Sequence, residues 1–100
     1  MTGSDIAAVR EEIDALDCEI VQRIARRQRW VVEAGRLKQD REAVRAPARV
    51  EQVVAKVRAV AEAEGASPEV VARTYRAMID AFIELELSVH EGEKSSSSRP

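Results

Sequence analysis

The sequence predicts an all-α domain, on three observations. Strand and turn formers are scarce, with four Gly, three Pro and three aromatic residues in 100, too little for a sheet and its turns. Apolar residues recur in steps of three and four over most of the chain. Helix start and stop signals fall between the periodic runs.

The first run covers Ile6 to Lys38, with Ile6, Val9, Ile13, Leu16, Ile20, Ile24, Val31 and Ala34 on the repeat. Ser4 or Asp5 can cap its start, Asp5, Glu11 and Glu12 suit the positive end of the macrodipole, and no proline intervenes before Pro47. Gly35 costs about 1 kcal/mol against Ala in a helix interior, so a close packing contact is expected near it. A helix of this length spans on the order of 50 Å, against a radius of gyration of about 13 Å for a compact domain of this size. It overhangs its own chain. The length therefore predicts a dimer in which a partner helix covers the overhang.

Gln39 to Arg45 reads as a polar loop. Pro47 then occupies a first-turn position and opens a second, shorter helix with Val50, Val53, Val54, Val57 and Val60 on one face, closed by Gly65 as C-cap. Ser67-Pro68-Glu69 supplies a cap, a first-turn proline and an acid for a third helix. Its apolar face carries Val71, Tyr75, Met78, Ile79, Phe82 and Leu85, and it is expected to run to about His90. The three helices of residues 5–91 form one domain, and the low-complexity residues 92–100 read as a disordered tail. The heptads of the first helix also suit a coiled coil, but the two shorter helices favour a bundle.

Composition excludes several classes of function. Sixteen Lys or Arg balance eighteen Asp or Glu, for a net charge of −2, so no global basic field attracts nucleic acid. Arg23, Arg26, Arg27 and Arg29 sit around the first helix instead of forming one basic face. One Cys, Cys18, and one His, His90, make neither a disulfide nor a metal-ligand set; Cys18 reads as a structural thiol in a reducing cytoplasm. The N-terminus lacks the features of a secretory signal, and no apolar stretch is long enough to span a bilayer. The expectation is a soluble, cytoplasmic protein without metal, membrane or nucleic-acid partner.

Charges break the apolar pattern at informative places. Continuing Ile6, Ile13 and Ile20 by sevens reaches Arg27 and Ala34, and the other apolar line, from Val9 and Leu16, reaches Val31 and Lys38 with a shift of one residue from the strict repeat. Arg27 and Lys38 are eleven residues apart, which leaves them nearly aligned and roughly 16 Å apart along a helix. They either converge on a ligand or meet the usual fate of seam cations, reaching water or a neighbouring carboxylate. Arg49 lies in the first turn of the second helix, where the macrodipole disfavours a cation and the N–H groups favour an anion; a bound anion relieves the conflict, as does a surface pair with Glu51 or Glu42. Glu86 stands beside the Ile79 and Phe82 stripe, so its carboxyl must be paired or protonated. Arg10 is about 25 Å and roughly 100° of helical turn from Arg27, out of reach within one chain but available from an antiparallel partner.

Several cations and one carboxyl on apolar helical faces describe a dry pocket for a small dianion. No nucleophile triad, phosphate loop or metal set accompanies them, which points to electrostatic chemistry without covalent catalysis. Arg10, Asp14-Ala15-Leu16-Asp17, Arg27, Gly35 and Lys38, followed by Arg49 and Glu86, together resemble the all-helical chorismate mutase family over most of the chain. The resemblance implies an intertwined homodimer with two sites, each taking Arg27, Lys38, Arg49 and Glu86 from one subunit and Arg10 from the other, with Val50 and Phe82 also in the substrate site. It implies a pericyclic rearrangement of chorismate to prephenate. Arg10 and Arg27 would bind the two carboxylates, Lys38 and Glu86 would approach the ether oxygen, and Arg49 would orient the ring side.

Within that family the details point several ways. Many members carry acids where this chain has Ala46 and Val50. The run Ala46-Pro47-Ala48-Arg49-Val50 looks more like isochorismate pyruvate lyases, which usually have Gln where this chain has Glu86. Glu there is similar to fungal chorismate mutases and to 4-amino-4-deoxychorismate mutases. Chorismate mutase ranks first, isochorismate pyruvate lyase second and aminodeoxychorismate mutase third. The reading from a different class is a non-catalytic helical dimer that binds a partner or a small aromatic acid.

Overall fold

The structure, a computed structural model, describes residues 5–38 and 40–97, with side chains up to residue 92. All its regular elements are helices: α1 (Ile6–Leu37), α2 (Arg41–Arg45), α3 (Pro47–Glu64) and α4 (Pro68–Ser97). The expected long helix and two shorter ones are α1, α3 and α4.

Local chemistry explains the boundaries. Asp5 caps α1 by accepting from the Ala8 amide at 2.8 Å, which relieves one of the first-turn N–H groups that lack an intrahelical partner; the alternative cap, Ser4, lies outside the described residues. Pro47 starts α3 as expected. Gly65 ends it at φ 76°, a left-handed conformation glycine adopts without Cβ strain. The Ala66 amide then donates to the Ala61 carbonyl at 2.8 Å, the longer bond of a Schellman turn. Ser67 Oγ accepts from the Val70 amide at 3.2 Å and opens α4.

Two boundaries differ from expectation. The stretch read as a polar loop contains α2, a single turn capped by Asp40, whose Oδ1 accepts from the Ala43 amide at 2.9 Å. Val44 anchors it at 2% exposure. Five residues are too short to show a helical period, so the cap and one buried valine do the work. The third long helix continues through Gly92 to Ser97 instead of ending near His90. A helix-interior glycine costs only about 1 kcal/mol, and no proline follows before Pro100. The tail expected from residue 92 is thus helical as far as Ser97, and residues 98–100 lie outside the described residues.

The chain divides into two compact units, Met1–Trp30 and Val31–Pro100. In the first, α1 carries Ile6, Val9, Ile13, Leu16 and Ile20 in one stripe, all exposed, from 41% at Val9 to 61% at Ile6. None of residues 5–30 is buried. In the second unit α3 packs along α4, and α2 lies against α4. Val54, Ala72 and Ile79 form its core, with Val50, Val53, Tyr75 and Ile83 packed around them.

Candidate functional site

The α4 stripe that supplies the core continues into the site. Ala72, Ile79 and Phe82 are buried, and one turn beyond Phe82 the same inward face presents Glu86, only 7% exposed. A carboxylate removed from water to this degree is costly unless a charge or donor meets it. Lys38, the residue after the last turn of α1, meets it: Nζ donates to Glu86 Oε2 at 2.7 Å. A cation at a helix C-terminus also complements the macrodipole. Of the two alternatives for Glu86, pairing is the one observed.

Gly35 explains how the end of α1 comes so close. It is buried, and a Cβ built on it would stand 3.4 Å from Glu86 Cγ and 3.6 Å from Oε2. The contact anticipated near this glycine is thus with Glu86 itself. Lys38 retains 26% of its side-chain exposure, so its ammonium is held by a buried carboxylate and still faces solvent on one side. Such a group is a preorganised donor for an anion or for an oxygen gaining negative charge.

His90 lies one turn beyond Glu86, and its Nε2 is 3.2 Å from the Lys38 carbonyl oxygen. Arg41 at the start of α2 forms an ion pair with Glu91. Lys38, before α2, and Arg41, at its start, are therefore both tied to one end of α4.

The remaining predicted site residues stand apart from this pair. Arg49 is exposed and donates from a guanidinium nitrogen to Gln52 Oε1 at 2.7 Å; it pairs with neither Glu42 nor Glu51. Glu51 instead takes a bidentate contact from Arg76 at 2.8 and 2.9 Å. Val50, half-buried, packs against the core cluster, and Phe82 is buried. Arg10 and Arg27 belong to the first unit, where Arg10 is exposed and Arg27 half-buried.

Away from the site, two acids have perturbed titration. The hydrogen bonds and charge of Arg76 hold the Glu51 carboxyl below its ordinary 4.5. Arg58 and Arg73 do the same for Glu69. Among the described residues no group of three His, Cys, Asp or Glu side chains could hold a metal ion, and no helix is long and apolar enough to cross a membrane.

His90 is the site neighbour that sequence reasoning missed. The available signal was its i, i+4 spacing from Glu86, which places both on one helical face. No curated protein matches the chain. A family model described as chorismate mutase type II matches residues 9–87, a span that takes in Arg10, Arg27, Lys38, Arg49 and Glu86.

Proposed function

Since the chain belongs to the chorismate mutase type II family, we propose that it is a cytoplasmic chorismate mutase, converting chorismate to prephenate without a cofactor. The observation that carries this reading is the Lys38 to Glu86 contact, 2.7 Å between an accessible ammonium and a buried carboxylate. As the ether bond of the substrate breaks, electron density builds on its oxygen, and an ammonium already oriented there stabilises that charge without reorganising. Holding the enolpyruvyl arm over the ring lowers the barrier further by restricting the substrate to a reactive conformer.

In this reading Arg27 and Arg10 bind the substrate carboxylates, Arg49 orients the ring side, and Val50 and Phe82 supply apolar surface. Arg10 comes from a second copy of the chain. The apolar stripe of α1 supports the dimer: Ile6, Val9, Ile13, Leu16 and Ile20 are exposed along one helix face, and covering what remains exposed of each contributes part of the about 1.5–3 kcal/mol that full burial of such a side chain is worth. A second copy of the same helix offers a self-complementary cover.

The run Ala46-Pro47-Ala48-Arg49-Val50 favours a second reading, isochorismate pyruvate lyase, with 4-amino-4-deoxychorismate mutase behind it. Parallel incubation with chorismate, isochorismate and 4-amino-4-deoxychorismate separates the three. Prephenate from chorismate is the expected product. Pyruvate from isochorismate, with chorismate untouched, overturns the first choice. Arg27→Ala should abolish turnover and leave the dimer intact, and absence of turnover with all three substrates would return the chain to a binding role.

A further inference from the structure

We propose that His90 is a positioning residue for Lys38, clamping the backbone from which the reactive ammonium extends. The inference rests on the reading of Lys38 as a group that acts on the substrate oxygen. His90 Nε2 lies 3.2 Å from the Lys38 carbonyl oxygen in a partly buried contact. A carbonyl only accepts, so Nε2 carries the hydrogen and donates it.

The position of Lys38 makes this bond consequential. It follows Leu37, the last residue of α1, where carbonyls have run out of intrahelical donors and the backbone is released from the helical ladder. From that point a flexible four-carbon stem carries the ammonium, so a small backbone rotation becomes a large displacement of Nζ. Glu86 fixes the far end of the stem at 2.7 Å, and His90 fixes its root. Both grips come from one face of α4, because residues 86 and 90 are one helical turn apart. The Arg41 pair with Glu91 ties the chain just beyond Lys38 to the next residue of the same helix.

A donor at position 90 is what the role requires. His90→Leu keeps bulk and helix propensity and removes the hydrogen bond, whereas His90→Gln returns an N–H at similar reach. With the full chain and its preferred substrate, His90→Leu should lower kcat by about 10- to 100-fold while KM changes by less than about threefold, since misplacement of about 1 Å costs roughly 100-fold. His90→Gln should restore most of the rate. Backbone amide exchange over residues 40–45 should speed up in His90→Leu and return towards wild type in His90→Gln. Wild-type kcat in the Leu variant overturns the proposal, as does a loss that Gln fails to rescue or unchanged exchange. If the wild-type chain turns over none of the three dianions, the enzyme reading itself fails and the positioning role falls with it; wild-type turnover indifferent to His90→Leu overturns only the role of His90.

Discussion

In the first unit Ile6, Ile13 and Ile20 lie exposed along one helix, whereas in the second Val54, Ala72 and Ile79 close into a core. The sequence patterns are alike, apolar residues at helical spacing, and the outcomes are opposite. The second unit satisfies its pattern within itself, because Gly65 and the short link before Pro68 return α4 along α3. The described residues of the first form one helix segment. An isolated helix is marginal in water even with good propensity, so the stability of α1 must come largely from whatever covers its stripe. Periodicity therefore identifies the face to be covered and leaves open what covers it.

The sharpest test of this division is of the proposed trans role of Arg10. Arg10→Ala and Lys38→Ala should each lower kcat/KM by about 100-fold or more, the usual cost of removing a charge-stabilising donor. If Arg10 serves the opposite subunit, mixing and refolding the two inactive variants makes half of the dimers hybrid, each with one intact site. Roughly a quarter of wild-type activity should return by that symmetry. Failure to recover activity, despite hybrid dimers, would break the assignment of Arg10 to the partner subunit.

A second comparison concerns stability. Ile13→Asp combined with Ile20→Asp places two charges on the exposed stripe and should convert a dimer to monomers in sedimentation. Ile79→Ala, in the core, should instead cost about 2–4 kcal/mol and leave a folded dimer at low temperature. A doubly charged stripe that sediments like wild type would mean that this face is not the interface.

The smallest of these effects is expected in acid. Glu51 and Glu69 are held below 4.5 by their arginines in the folded chain, so their stabilisation is complete above that value and is lost as pH falls through the lower folded values. Both pairs are exposed, which keeps the contribution modest. Thermal melts from pH 6 downwards should show stability falling below about pH 4.5, and Glu51→Gln with Glu69→Gln should flatten that decline. An unchanged acid limb would assign it to other carboxylates.

The legible parts of the molecule are those governed by neighbours in sequence. Asp5, Pro47, Gly65 and Ser67 mark helix ends because capping is a local reaction between a side chain and the next few amides. Gly35 announced a close contact because glycine inside a helix needs a reason. Glu86 announced itself as a carboxyl in an apolar stripe, and the resemblance grouped it with Lys38. Its direct pairing with a residue 48 positions away is a tertiary fact that no local spacing contains. The same distance hid His90, whose partner is a backbone carbonyl and carries no sequence signature. α2 escaped notice because one helical turn has no period to detect.

Ala46 has a consequence for how such a site can change. It stands between α2 and α3 at φ 36°, ψ 62°, a left-handed conformation that costs an ordinary residue roughly 1–2 kcal/mol and that Asp and Asn tolerate better. Its neighbour in the family pattern, Val50, is packed against the core cluster. The two positions at which the family resemblance leads one to expect acids are thus unequal starting points. Ala46→Asp should melt at or slightly above wild type, while Val50→Asp should melt lower by buried-charge desolvation. A new acid in this stretch of the chain therefore has an open mutational route through residue 46, whereas at residue 50 the core must first be rebuilt.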